Sequence, residues 1–325
     1  MHPRYSGSGI WRSPSRFRGW LLLGLLGLLY GPLLLHWAEG WLNKTISIEH
    51  EYYSHGLLGL PLAAWLGWQR RGDWETLPEQ RMGWAHGLGL GLLLLGLRLY
   101  LHPVADAVNL SLPLVLMGLC LWLKGAAGLR LMAFPLLLVA LATPTAFPYL
   151  LTPYILPLQQ LIAIAAGFLL LQMGIDVRVD QVYVYVNNQV VEIAPYCAGL
   201  KLLFTGLYAG LILLYAAEGW RFTRQSLRES RFKAALFLLG IVGLTAIANI
   251  LRNTMLAYLH GTEQKLAFDW LHEGWGGDLY SALTLGGLLW VWRGVEWLGD
   301  RWQPAPVDQT PLAEGPRSEP LLPRR

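Results

Sequence analysis

Apolar stretches recur along this chain, separated by short segments that carry most of its charge. A helix needs about 20 apolar residues to cross a bilayer. Nine runs approach that length: 20–37, 55–68, 83–101, 105–123, 131–147, 154–174, 198–217, 234–258 and 279–295. The second is short and is expected to extend into its flanks. Arg12, Arg16 and Arg18 ahead of the first run give it the look of a signal peptide, but no small-residue cleavage site follows, so it reads as a retained anchor. One stretch has a different period. Val182, Val184 and Val186 alternate with Tyr183 and Tyr185, Asn187-Asn188 supplies a turn, and an extended pattern resumes at Gln189. This predicts a β-hairpin over 176–193, outside the membrane.

Basic residues orient such a chain, because they stay in cytoplasmic loops. Arg4, Arg12, Arg16 and Arg18 precede the first run. Arg70, Arg71 and Arg81 lie in the 69–82 loop, Lys124 and Arg130 in the 124–130 loop, and Arg221, Arg224, Arg228, Arg231 and Lys233 in the 218–233 loop. Arg293, Arg301, Arg317, Arg324 and Arg325 follow or end the last run. All five segments are expected inside. Nine crossings contradict this, since an odd number puts the two ends on opposite sides. The conflict falls in 131–174, which Pro135, Pro144, Pro148, Pro153 and Pro157 punctuate. Proline removes a donor and bends a helix. One of the two runs there, 131–147 or 154–174, is therefore expected to be re-entrant or interfacial. Eight crossings with both termini cytoplasmic satisfy every basic loop.

Composition agrees with this reading. Of 325 residues, 54% are hydrophobic and 14% charged, against roughly 25% charged in soluble domains. The net charge of +4 is explained by the cytoplasmic loops and implies no nucleic acid. The expected fold class is an all-α polytopic membrane protein with one extracytoplasmic β-hairpin. It has a basic N-terminus (1–19), a membrane domain (20–298) and a disordered proline-rich cytoplasmic tail (299–325). Sixteen tryptophans fit interface anchoring.

The polar residues on the outer face carry the candidate chemistry. Cys197 follows the hairpin and Pro195-Tyr196, and heads the run Ala198-Gly199-Leu200. A cysteine at a helix start meets free backbone N–H groups that favour the thiolate, the nucleophilic form. Cys120 lies inside an apolar run and takes no role. Arg252, in Asn249-Ile250-Leu251-Arg252-Asn253, falls near the outer end of its span. A membrane arginine is costly and marks a site by default. His272, in Leu271-His272-Glu273-Gly274-Trp275, lies in an outer loop, and histidine is the commonest general acid–base. Together they fit acyl transfer: Cys197 attacks a carbonyl, Arg252 stabilises thiolate or oxyanion, and His272 protonates the leaving amine. His50, His55, His260 and Glu273 have no compact ligand spacing, so no metal is expected, and no cofactor.

The segment Glu192-Ile-Ala-Pro-Tyr196-Cys197-Ala-Gly199-Leu200, then Asn249-x-x-Arg252, then His272-Glu273-x-x-Gly276, resembles the exosortase/archaeosortase family, closest to its cyanobacterial members. Tyr53-Ser54-His55-Gly56 and the proline-rich 144–157 segment extend the resemblance. It implies a cysteine transpeptidase with Cys197, Arg252 and His272 as catalytic residues, supported by Asn249, Tyr196, Gly199, His55 and Glu273. It implies exported substrates with a C-terminal sorting signal: a Pro-Glu-Pro-like motif, a membrane helix and a basic tail. It also implies membrane lipid as a partner and an amine or polysaccharide-linked acceptor, with the plasma membrane or the thylakoid as location. Ala198 departs from the family, many of whose members carry serine after the cysteine. The competing readings are a non-enzymatic transporter or an exopolysaccharide-export scaffold, either of which tolerates loss of Cys197.

Overall fold

A computed structural model describes residues 14–42, 52–78, 83–218, 227–272 and 274–301. Those residues are mostly helical, with one small sheet: α1 (Pro14–Leu42), α2 (Gly56–Gln69), α3 (Arg71–Thr76), α4 (Trp84–Tyr100), α5 (Ala105–Ala142), α6 (Thr152–Gln172), β1 (Val177–Asp180), β2 (Tyr183–Val186), β3 (Gln189–Glu192), α7 (Leu200–Glu218), α8 (Leu227–Gly261), α9 (Lys265–His272) and α10 (Trp275–Arg301). Five helical stretches are long and apolar enough to cross a membrane. The expected polytopic helical class holds. The second run gains only Gln69 from its C-terminal flank: α2 stops there, and α3 begins anew within the expected 69–82 loop. The last helix reaches Arg301, past the expected start of the tail at 299, and the rest of that tail lies outside the described residues.

α5 is two helices. A straight 38-residue helix would be about 57 Å long. Yet Asp106 Oδ2 accepts from Ala146 N at 2.9 Å, and Asn109 Nδ2 donates to the Pro144 carbonyl at 2.9 Å. The two ends meet because the chain reverses at Gly125 (φ 60°, ψ −154°), a region open essentially to glycine alone. Beside the turn, a β-carbon on Gly128 would lie 2.9 Å from the Cys120 carbonyl. The 124–130 loop expected between two spans is thus one residue between helical arms. α4 packs on this hairpin through small residues. A β-carbon on Gly89 would lie 2.8 Å from Trp122 N, so the backbones touch, as in membrane helix pairs. α1 is tied to the hairpin by buried polar bonds, Trp37 Nε1 to Asn109 Oδ1 at 2.9 Å and Tyr30 with Ser111 at 3.0 Å.

The second half builds around α8. Phe237 and Ile241 pack with Leu288 and Trp292 of α10, while Gly206 and Gly210 bring α7 against Ile241 and Thr245. The sheet at the far end of α8 has three strands in the order β1-β2-β3, all antiparallel. The hairpin expected over 176–193 is three strands rather than two, and the expected turn at Asn187 (φ 51°) joins β2 and β3. The first strand escapes the sequence pattern because its turn uses Gln181 (φ 56°), not a usual turn residue. Val182, Val184 and Val186 are buried, as the alternation implies, and Val184 and Val186 pack with Ile162, Ala163 and Leu170 of α6 and Ala257 of α8.

Candidate active site

Two loops meet over one turn of α8. The first carries Cys197. Pro195–Ala198 forms a tight 3-10 turn in which Cys197 N donates to the Ala194 carbonyl at 2.8 Å. Gly199 follows at φ 84°, and α7 begins only at Leu200. The thiol therefore precedes the helix, correcting the expectation that Cys197 heads it. Left-handed backbone at 199 interrupts the helical path that the apolar run suggests. The residue is buried, 6% exposed, within the apolar cluster of α6 and the sheet.

α8 holds that turn by two asparagines. Asn249 Nδ2 donates to the Cys197 carbonyl at 2.9 Å, and Asn253 Nδ2 donates to the same oxygen at 3.1 Å. Asn253 also donates to the Asn249 carbonyl at 2.9 Å. Both are buried (5% and 2% exposed), where an unpaired amide is costly and a paired one fixes geometry. Gly199 is required by this contact. A β-carbon there would stand 2.6 Å from Asn249 Cγ.

The second loop carries His272. It is the last residue of α9, so the outer loop expected around it is partly helical. Arg252, between the asparagines in sequence, reaches the open end of that helix. Its Nη2 faces the Leu271 and His272 carbonyls at 3.4 and 3.3 Å. A cation there satisfies terminal carbonyls and the helix dipole. Arg252 Nε is buried with no partner among the described residues. The free Nε of a guanidinium that otherwise faces carbonyls is a donor, and its charge a field, that an anion can use. The His272 ring stacks on Phe268 (5.1 Å, 17°) and approaches Tyr196, the neighbour of Cys197, at 6.3 Å. Gly277 lets α10 start close against this helix end, since a β-carbon there would lie 2.8 Å from the Leu271 carbonyl that Arg252 faces.

One turn of helix thus bonds to the main chain of Cys197 on one side and of His272 on the other. Asn249, Tyr196 and Gly199 lie in this assembly beside Cys197, Arg252 and His272. Glu273 lies outside the described residues. His55 is placed elsewhere. Its ring lies 4.4 Å from that of Tyr208, two turns along α7 from Leu200, and its Nε2 bonds the Leu141 carbonyl at 3.2 Å. Asn253 was assigned no role from sequence, although its spacing of four from Asn249 is the signal of a shared helix face. The described residues contain no group of three metal-ligating side chains.

A family model of transmembrane exosortases matches residues 37–290, well over half of the chain and the whole of this site. No curated protein and no solved structure matches it.

Proposed function

The chain belongs to the transmembrane exosortase family, and from that premise we propose that it is a membrane-embedded cysteine transpeptidase that processes C-terminal sorting signals of exported proteins on the extracytoplasmic face. The observation that carries this reading is the Asn249–Asn253 turn of α8, which bonds both the Cys197 turn and the His272-bearing end of α9. Three sequence-distant segments are held together around a thiol, a cation and an imidazole, the parts that acyl transfer uses.

In the proposed reaction the Cys197 thiolate attacks the scissile carbonyl carbon. The electron pair of the C=O bond moves to oxygen, and Arg252 stabilises this oxyanion or the thiolate before it. Collapse breaks the C–N bond, and His272 protonates the departing amine, leaving a thioester on Cys197. An acceptor amine or water then gives its proton to His272 and attacks the thioester. The C–S bond breaks and the thiolate is restored. The two asparagines bond the Cys197 carbonyl and are positioning residues.

The substrate signal is the Pro-Glu-Pro-like motif, membrane helix and basic tail that the resemblance implies, and the likeness is to the cyanobacterial branch. The edge strands β1 and β3 offer unpaired main-chain groups to an extended recognition motif by strand addition. The test is cleavage of a tagged protein bearing such a signal by the native chain and by Cys197→Ala, Arg252→Ala and His272→Ala, each inserted at normal level. A size shift that Cys197→Ala abolishes supports the mechanism. Processing that persists in Cys197→Ala removes the nucleophile and hands the chain to the transporter or scaffold reading.

A further inference from the structure

α6 is long and apolar enough to cross a bilayer, but its surroundings forbid that path. Its faces differ sharply. Gln159, Ile162, Ala163, Ala166, Gly167 and Leu170 are buried beneath the sheet and the Cys197 turn. Tyr154, Pro157, Leu161, Ile164, Phe168 and Leu171, at spacings of three and four, form an exposed stripe with no charge in it. The sheet covers the middle of the helix. Gln159 Nε2 bonds the Ile193 carbonyl, Gln160 bonds Gln181, and Gly167 lies against Val179.

The sheet's outward face decides the orientation. Arg178, Asp180, Tyr183 and Glu192 are exposed there. If α6 crossed the bilayer, its midpoint would lie at the membrane centre, and these charges and the open edges of β1 and β3 would lie in hydrocarbon. Neither is tolerated at that depth. A second observation agrees. The α8 residues of the cluster around α6, and of the adjoining cleft, all lie between Ile250 and Tyr258. That level is the far end of α8 from its basic start at Arg228, Arg231 and Lys233.

We infer that α6 lies in the plane of the outer leaflet, with Tyr154, Leu161, Ile164, Phe168 and Leu171 in the acyl chains and the sheet and Cys197 on its aqueous side. This is the layering of an interfacial helix. It decides between the two proline-flanked runs: 131–147 crosses as the second arm of the α5 hairpin, and 154–174 does not. The crossing segments are then α1, α2, α4, both arms of α5, α7, α8 and α10, and every basic loop falls on one side. It also puts the Cys197 turn about one helix diameter, roughly 10 Å, above the hydrocarbon, where the segment just outside a membrane anchor would lie. The inference is independent of the thiol chemistry.

The test uses the full chain with both native cysteines replaced by alanine. Single cysteines are placed at Tyr149 and Asp176, flanking α6, and at Thr76 in the basic loop after α2. In sealed right-side-out vesicles a membrane-impermeant maleimide should label the first two equally without permeabilisation and Thr76→Cys only with it. Labelling of Tyr149→Cys and Asp176→Cys from opposite sides overturns the inference. Nitroxides at Tyr154, Ile164 and Leu171 in proteoliposomes give a separate reading of depth from oxygen against nickel-chelate collisions. One shallow depth at all three is expected. A maximum at Ile164 means a crossing helix, and protection of all three from both agents means that protein, not lipid, covers the stripe; either result overturns the inference.

Discussion

Gly199→Ala tests the coupling between the Cys197 turn and α8. Two costs are imposed. The backbone at 199 sits at φ 84°, which costs an alanine about 1–2 kcal/mol. The new methyl would also stand 2.6 Å from Asn249 Cγ and 2.7 Å from its Nδ2, inside any real contact distance. Overpacking of this kind costs about 1–3 kcal/mol. Relief by moving Asn249 sacrifices its 2.9 Å bond to the Cys197 carbonyl, about 1 kcal/mol more. The single variant should therefore lose about 3–6 kcal/mol of local stability, and misplacement of the thiol by about 1 Å should lower processing about 100-fold. Asn249→Ala alone should cost about 1 kcal/mol, because Asn253 still holds the carbonyl. In the double variant the contacts with Asn249 Cγ and Nδ2 are gone and the closest approach left is 3.0 Å, to the β-carbon at 249, so the backbone strain, one lost bond and a small part of the overpacking remain. The cycle should show a favourable coupling of about 2 kcal/mol. The assays are thermal unfolding in detergent and cleavage of the tagged substrate, with insertion measured alongside. A neutral Gly199→Ala, or strictly additive single variants, would refute the claim that Asn249 fixes this turn.

Arg252→Lys keeps the charge but not the planar fork that faces two carbonyls, so processing should fall by about tenfold or more at normal insertion; full activity would mean that charge alone suffices. Asn253→Asp replaces a buried donor with an acceptor facing the Cys197 carbonyl, and its negative charge disfavours a nearby thiolate. Alkylation of Cys197 by a neutral maleimide should slow at neutral pH, whereas Asn253→Gln should disturb it less; equal rates for both would count against the clamp. Gly125→Ala puts a side chain into an essentially glycine-only conformation, at about 1–3 kcal/mol. The thermal midpoint should fall by a few degrees, and an unchanged midpoint would argue against a reversal of the chain at that residue.

Much of the site was legible in the sequence because its chemistry is carried by residue types that are costly in a membrane. An arginine near a span's end between asparagines, and a cysteine after an alternating valine stretch, stand out locally. Asn253 did not, because its meaning is a bond across 56 residues to the Cys197 carbonyl, and a lone asparagine near an arginine reads as general polarity. His55 was grouped with the site on motif alone, and packing sends it to Tyr208 and Leu141 instead. The single-residue turn at Gly125 and the turn at Gln181 were also hidden. Glycine is common within these apolar runs, and glutamine is an uncommon turn residue.

By itself, the sequence determined the class of the protein and the positions of most apolar helices, and it set the expectation that the basic loops share one side. These follow from hydrophobicity and charge, which act residue by residue against the solvent. Only the tertiary structure decided that α5 folds back on itself, that Cys197 precedes its helix, and that one turn of α8 bonds to both site loops. It also separated a helix able to span the bilayer from one that lies beneath a sheet. Length and composition are alike in the two cases, and what differs is the set of charged neighbours that packing places beside the helix.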